Sequence, residues 1–433
     1  MYRKIEEYLK NYFSSKEEKI LVIDGARQVG KTYIIEKIGK EYYRNFVSIN
    51  LDADKKGDRV FEDVKTCDDF YIQLSALYGN KLNNRDDTLV FIDEISIYPQ
   101  FFSLLKQLRI DNKYRYICSG SLLGIELLKS GLAPMGSIIR KEMYPMDFEE
   151  FLIANNFGLD AINYVRESYE NKNSLNESLH NALLNLFLTY LYVGGLPDAV
   201  KSYVEEKNVF KIKEIQKDIY DFYSRDVAKY DLENRLKIKR IYEMMISSID
   251  NKVKRIKYSD INNNKKDCFA NYVEEFDYLI NSGIALACNA VSEPKFPLAQ
   301  SSVKNLIKLY MNDVGLLSYL LYRNNINAIL KSKTGVNLGA IYETVVSQEL
   351  KAHGHDLFYY DRRKVGEVDF LVNNYDNLSI LPLEIKSGKE GYKYRALPKL
   401  VDDKHPGYIL SNDREVLVKD NIIQIPIYCI MFI

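Results

Sequence analysis

Ile20-Leu21-Val22-Ile23-Asp24-Gly25-Ala26-Arg27-Gln28-Val29-Gly30-Lys31-Thr32-Tyr33 is the stretch that decides the fold. Its first four residues are an apolar run that reads as a buried strand, and Tyr33-Ile34-Ile35-Glu36-Lys37 opens a helical pattern. Between them Gly25, Gly30, Lys31 and Thr32 occupy the fixed places of a G-x-x-x-x-G-K-T loop. A strand, loop and helix in this order make a phosphate site. Glycines let the backbone turn tightly enough for its N–H groups to face phosphate oxygens. The start of the helix adds a partial positive charge at the same place. Lys31 offers a point charge to the β- and γ-phosphates, and the Thr32 hydroxyl a ligand for Mg²⁺. Ala26, Arg27, Gln28, Val29 and Tyr33 complete the expected nucleotide contact. The alternative, a glycine turn that happens to carry a lysine, does not account for the flanking strand and helix.

A second apolar run, Thr88-Leu89-Val90-Phe91-Ile92, ends in Asp93-Glu94. Ligands gather at the carboxyl ends of strands in a parallel sheet. Asp93 is therefore expected beside Thr32, holding Mg²⁺ or one of its waters, and Glu94 is expected to polarise the water that attacks the γ-phosphate. Phe46 to Leu51 reads as another strand, Gln100 to Ile110 as a helix, and Tyr114 to Cys118 as a strand leading into Ser119-Gly120-Ser121. Alternating strands and helices predict an open parallel sheet. At the end of the last strand, Ser119 or Ser121 is placed to sense the γ-phosphate, and a simple serine-rich turn fits the same residues.

The whole chain sets bounds on these readings. Its 433 residues suffice for two to four domains, and 46% hydrophobic with 28% charged residues is an ordinary soluble composition. The net charge of zero gives no overall basic field, so nucleic acid would have to be met by local patches. No apolar run reaches the roughly 18 residues that span a bilayer, and the charged amphipathic start MYRKIEEYLKNYF lacks the apolar centre of a signal peptide. Cys67, Cys118, Cys268, Cys288 and Cys429 are scattered without a C-x-x-C pair, which predicts reduced thiols and a cytoplasmic location.

Beyond residue 160 the pattern is helical, with a break at Gly194-Gly195-Leu196-Pro197. Between residues 236 and 325, two short helices followed by a hairpin resemble a winged-helix module. Lys252, Lys254, Arg255 and Lys257 form a basic run beside it that could meet DNA. A protein-packing module with a solvated charged loop fits the same residues. In the last hundred residues, Glu367-Val368-Asp369-Phe370-Leu371-Val372 and Leu381-Pro382-Leu383-Glu384-Ile385-Lys386 read as two strands. Alternation puts Glu367 and Asp369 on one face of the first, and Glu384 and Lys386 on one face of the second. Neighbouring carboxylates repel unless a cation lies between them or one holds a proton. Mg²⁺ on Asp369, Glu384 and Glu343 of the preceding helix would supply that cation, with Lys386 orienting or deprotonating a water. Arg362, Arg363 and Lys364 are basic enough to meet a phosphate backbone. Cross-strand Glu–Lys pairs without any metal are the alternative.

GARQVGKT, FIDEI, CSGS, YPMDFEEFL, GGLPDAV, YSRDVAKY and KLYMNDVGLL follow one another along the chain. In that order they resemble the AAA-type ATPases of bacteria and archaea that carry an uncharacterised nuclease-like C-terminal domain, over essentially the whole length. The D…E-x-K set Asp369, Glu384 and Lys386 is similar to that of the PD-(D/E)XK nuclease superfamily. The resemblance implies an α/β chain in four parts: a P-loop ATPase core (1–160), a helical region (161–235), a winged-helix-like module (236–325) and a restriction-endonuclease-like domain (326–433). It implies ATP and Mg²⁺ as cofactors. Arg140 becomes a candidate finger arginine in cis or within a homo-oligomer, with Arg225 as a second candidate. The implied function is ATP hydrolysis, coupled either to metal-dependent DNA cleavage or to a switch whose C-terminal domain binds a partner and cuts nothing.

Overall fold

The computed structural model describes residues 1–121, 136–230, 235–249, 255–323, 325, 329, 338–387, 395–402 and 405–433. The chain falls into two compact units, Tyr2–Tyr144 with Asn281–Gly283, and Pro145–Ile280 with Ile284–Ile433.

The first unit is built on five strands: β1 (Ile20–Asp24), β2 (Asn45–Asn50), β3 (Thr88–Asp93), β4 (Arg115–Gly120) and β5 (Ile138–Glu142). They pair in the order β2-β3-β4-β1-β5, and every pair is parallel. β1, β3 and β4 are buried along their whole length, as their apolar composition requires of central parallel strands. Ile92 pairs with Cys118, and Ile23 pairs with Ser119, so Asp93, Ser119 and the start of the loop at Gly25 come level at one edge of the sheet. The helix Lys31–Tyr42 follows the loop and buries Ile34, Ile35 and Ile38. The N-terminal helix Ile5–Ser14 buries Leu9, Tyr12 and Phe13, and its Glu6 pairs with Lys37 at 2.9 Å. β5, which holds Arg140, is a strand that local pattern did not announce, because its partly exposed edge position leaves no apolar run to read.

The second unit combines helices with an eight-stranded mixed sheet. Its strands are β6 (Ala285–Val291), β7 (Ser302–Met311), β8 (Leu357–Arg362), β9 (Gly366–Asn374), β10 (Ser379–Lys386), β11 (Gly407–Ser411), β12 (Leu417–Lys419) and β13 (Ile422–Pro426). Their order is β12-β13-β11-β10-β9-β8-β6-β7. The expected hairpin is present as the antiparallel pair β6–β7, but β6 also pairs in parallel with β8. The hairpin is therefore the edge of the C-terminal sheet and not a free wing, and the strands on either side of residue 325 share one hydrogen-bond ladder. Of the basic run, Arg255 bonds Asp361 at 3.3 Å and Lys257 is exposed, while Lys252 and Lys254 lie outside the described residues. A 3-10 turn, Ile427–Phe432, follows β13. Among the described residues no helix is long and apolar enough to cross a membrane.

Two buried carboxylates tie the helices of this unit together. Glu349 accepts from the Phe148 N–H at 2.9 Å and the Tyr190 hydroxyl at 3.0 Å. Asp313 caps the helix Val314–Tyr322 by accepting from the Leu316 N–H at 3.0 Å, and reaches the Gly195 N–H at 2.6 Å. A Cβ at Gly195 would strike the Met146 carbonyl, which is why the helix break needs glycine there. Burial pushes the Asp313 carboxyl up to about 6, against the pull of its backbone donors and Lys213.

Asp313→Ala leaves those N–H groups buried without an acceptor, and we expect thermal or urea unfolding to show a loss of about 2–4 kcal/mol. Because the folded group titrates above its unfolded value, its contribution is full below about pH 4 and is lost as the pH rises through about 6. Asp313→Asn should flatten that part of the stability profile relative to the parent chain.

Candidate nucleotide site and a second acidic centre

The loop between β1 and the helix Lys31–Tyr42 is shaped by backbone that ordinary side chains rarely adopt. Gly25 has φ 147°, where a Cβ would strike the Met143 carbonyl, and Gln28 has φ 65°. Lys31 is 5% exposed, and its Nζ donates to the Gly25 and Ala26 carbonyls at 2.8 Å each. Burial lowers the Lys31 pKa, countered by Glu94, Asp24 and Asp93. Ala26 and Val29 are buried, whereas the Tyr33 side chain is 61% exposed, so Tyr33 can serve a ligand only at the rim.

Asp93 ends β3 with its carboxylate gripped from several sides. Oδ2 accepts from Thr32 Oγ1 at 3.0 Å and Asn50 Nδ2 at 3.1 Å. Oδ1 accepts from Ser119 Oγ and from the Glu94 N–H. Glu94 follows with φ 54°, a conformation costly for a non-glycine residue that turns its side chain out of the strand register. Its Oε2 accepts from Ser121 Oγ at 3.1 Å, and Arg27 Nε donates to the same serine oxygen at 3.0 Å. The two serines thus divide between the two acids, Ser119 on Asp93 and Ser121 on Glu94.

Fit to a nucleotide with Mg²⁺ can be judged on these groups. The Thr32 hydroxyl and the Asp93 carboxylate meet at hydrogen-bond distance, the loop backbone approaches too closely for side chains, and a lysine stands inside it. This donor set suits a metal bound through few protein ligands and substrate phosphates. Arg140 lies on β5, where its guanidinium contacts Asp24 and reaches Glu142 at 3.6 Å. Asp24 is buried, and burial raises its carboxyl pKa while Arg140 lowers it. Arg225 is exposed in the other unit and bonds the Asp221 carbonyl of its own helix at 3.1 Å.

The second unit places Glu367 and Asp369 on one face of the mixed sheet. Phe358, Tyr360 and Val368 pack into an apolar cluster on the opposite face, and alternation leaves Tyr359, Glu367 and Asp369 on this one. Glu384 Oε1 accepts from Lys386 Nζ at 2.6 Å, and Asp369 Oδ2 from the Ile385 N–H at 2.8 Å. Glu343, in the second turn of the helix Gly339–Ala352, accepts from the Tyr310 hydroxyl at 2.9 Å. Lys308, which the sequence did not mark as part of this centre, bonds Glu367 at 2.6 Å. Burial works to lower the Lys308 pKa, but Glu367, Glu343 and Asp369 outweigh it and hold the group cationic. Burial and then Asp369 push the Glu384 carboxyl up to about 8, against Lys386. Glu384 Oε2 is buried without a protein donor. Even so, among the described residues no three His, Cys, Asp or Glu side chains converge as metal ligands. Glu343, Asp369 and Glu384 as they stand do not fit a preformed metal site.

Residues 17–152 match the family described as "AAA domain". Residues 17–152 form an AAA-type P-loop ATPase domain. Residues 184–327 and 338–430 match two further families, each described as a domain of unknown function (DUF8612 and DUF4143). The chain is 26% identical over 365 residues to the uncharacterized protein MJ1544 of Methanocaldococcus jannaschii, covering 82% of this chain and 72% of that one. Among solved structures it is similar to the Walker-type ATPase PABY2304 of Pyrococcus abyssi, with 12% identity, TM-score 0.43, and 74% and 95% of the two chains covered. It is also similar to AMPPCP-bound DnaA from Aquifex aeolicus, with 14% identity, TM-score 0.28, and 64% and 85% covered.

Several residues of the AAA-type domain's site carry no motif. Asn50 ends a strand adjacent to β3, and only the register Asn50↔Asp93 brings it to the acid. Arg3 donates to the Val29 carbonyl at 2.8 Å and the Tyr144 carbonyl at 2.7 Å, pinning the phosphate loop from the N-terminus. Arg3→Met removes both bonds, and we expect it to weaken ATP binding by about three- to tenfold through loosening of the loop, read by titration with a fluorescent nucleotide.

Proposed function

We propose that the protein binds and hydrolyses ATP, and that the cycle operates as a molecular switch on the C-terminal unit. The observation that carries the ATPase reading is the grip of Thr32, Asn50 and Ser119 on Asp93, with Glu94 turned out of register beside it. In this reading the loop N–H groups and Lys31 hold the β- and γ-phosphates. Thr32 and Asp93 would hold Mg²⁺, which when bound neutralises charge on the phosphate oxygens. Glu94 orients a water and takes its proton as the water oxygen bonds to the γ-phosphorus. The bond to the β–γ bridging oxygen breaks, its electron pair stays on that oxygen, and ADP and phosphate leave. Arg27 and Ser121 fix the Glu94 carboxylate, and Ser119 reports on the γ-phosphate through Asp93. Arg140 neutralises Asp24 beneath the loop, a role that its contact with Asp24 favours over that of a finger.

The switch reading of the C-terminal unit is favoured by acids that already carry protein donors and do not converge on a metal. The second reading, metal-dependent DNA cleavage, is favoured by the Asp369–Glu384–Lys386 constellation and the orphan Glu384 oxygen. DNA binding would then use exposed Arg363 and Lys364 in the turn after β8.

We expect Lys31→Ala to abolish phosphate release, and Glu94→Gln to keep ATP binding while lowering turnover by about 10²–10⁴-fold. Unchanged turnover in Lys31→Ala would overturn the site. Supercoiled and single-stranded DNA incubated with Mg²⁺ or Mn²⁺, with and without ATP, should remain uncut. Nicking that disappears in Glu384→Ala would replace the switch by the nuclease.

A further inference from the structure

The face of the mixed sheet that carries Glu367 and Asp369 also carries Lys308, and nothing in the ATPase chemistry uses it. Lys308 lies on β7 opposite Cys288 of β6, and its side chain is 2% exposed. An ammonium so deeply buried is tolerated only when it is paired. Its Nζ is 2.6 Å from Glu367 Oε1 and 4.3 Å from the Tyr359 ring centroid. Glu343 and Asp369 are also within its electrostatic reach. Two residues along the same strand face, the Tyr310 hydroxyl bonds Glu343 Oε2 at 2.9 Å. One strand of the hairpin therefore delivers a cation to Glu367, next but one to Asp369, and a donor to Glu343, the helix acid of the expected metal set. Asp369 and Glu384 have donors of their own in the Ile385 N–H and Lys386.

A divalent ion would have to enter beside a fixed positive charge. Mg²⁺ demands near-octahedral oxygen ligands at short distance and sheds water reluctantly, so one anionic oxygen turned toward an ammonium is a poor start. Carboxylate repulsion, the usual force that recruits a metal, is already relieved by Lys308 and Lys386.

We propose that Lys308 is the resident cation of this acidic centre, standing among Glu343, Glu367 and Asp369 where a divalent ion would otherwise stand, so that the centre as folded does not take up Mg²⁺ or Mn²⁺. The inference deepens the switch reading of the C-terminal unit and rests on that reading alone, not on ATP hydrolysis.

Mn²⁺ binding to the full-length protein, read from the loss of the free-ion electron paramagnetic resonance signal without nucleotide, tests it. All variants carry Thr32→Ala, so that the ATPase domain contributes no ion. The background protein should bind no stoichiometric Mn²⁺, whereas Lys308→Met should gain one equivalent at least tenfold tighter, lost again on adding Asp369→Asn. One equivalent bound by the background protein and abolished by Asp369→Asn overturns the proposal, and so does a folded Lys308→Met that gains nothing. If Lys308→Met does not fold, the background protein with and without Asp369→Asn still decides. Phosphate release by the parent chain is measured separately, so failure of the ATPase reading leaves a different signature.

Discussion

One carboxylate organises the ATPase domain. Asp93 at the end of β3 receives hydrogen bonds from Thr32 at the start of the phosphate-loop helix, from Asn50 at the end of β2 and from Ser119 at the end of β4. Each donor sits on a different element, and only a parallel sheet in the order β2-β3-β4-β1 brings all three to the same edge. The apolar cores of β1, β3 and β4 supply the free energy that buries Asp93, and the donors supply the bonds that a buried anion requires. The strained backbone of Glu94 is tolerated in that setting because its neighbours over-determine it.

The C-terminal unit solves a related problem differently. Four acids, Glu343, Glu367, Asp369 and Glu384, are met there by a tyrosine hydroxyl, two lysines and a backbone N–H. In the first unit the Asp93 carboxylate is satisfied by neutral donors. Here charge is met by charge, and burial and then Asp369 push the Glu384 carboxyl up against the pull of Lys386.

How much of this was legible in the sequence follows from how local each signal is. The phosphate loop, the acid-ending strand and the alternation of strands and helices are contiguous patterns, and the structure places Gly25 to Thr32, Asp93, Glu94 and Ser119 together as those patterns required. Asn50, Arg3 and the link from Arg27 through Ser121 to Glu94 depend on register and on chain contacts far apart in sequence, and no periodicity announces them. The hairpin β6–β7 was readable, but its membership in the C-terminal sheet was not, because strand order is a long-range property. Lys308 stood in plain view within KLYMNDVGLL. It shares a strand face with Tyr310, and that face acquires meaning only when β8 and β9 are laid beside it.

The two bonds from Lys31 to the Gly25 and Ala26 carbonyls bear on ligand choice. A ligand that draws this ammonium onto itself must replace two good acceptors, so its affinity reflects an exchange and not a simple gain. A singly charged anion offers little over two carbonyls in the same place. A triphosphate, with several charged oxygens held at once by the loop and the lysine, offers a good deal more. In the proposed ATP reading, that exchange would favour a ligand with several charged oxygens over a singly charged anion.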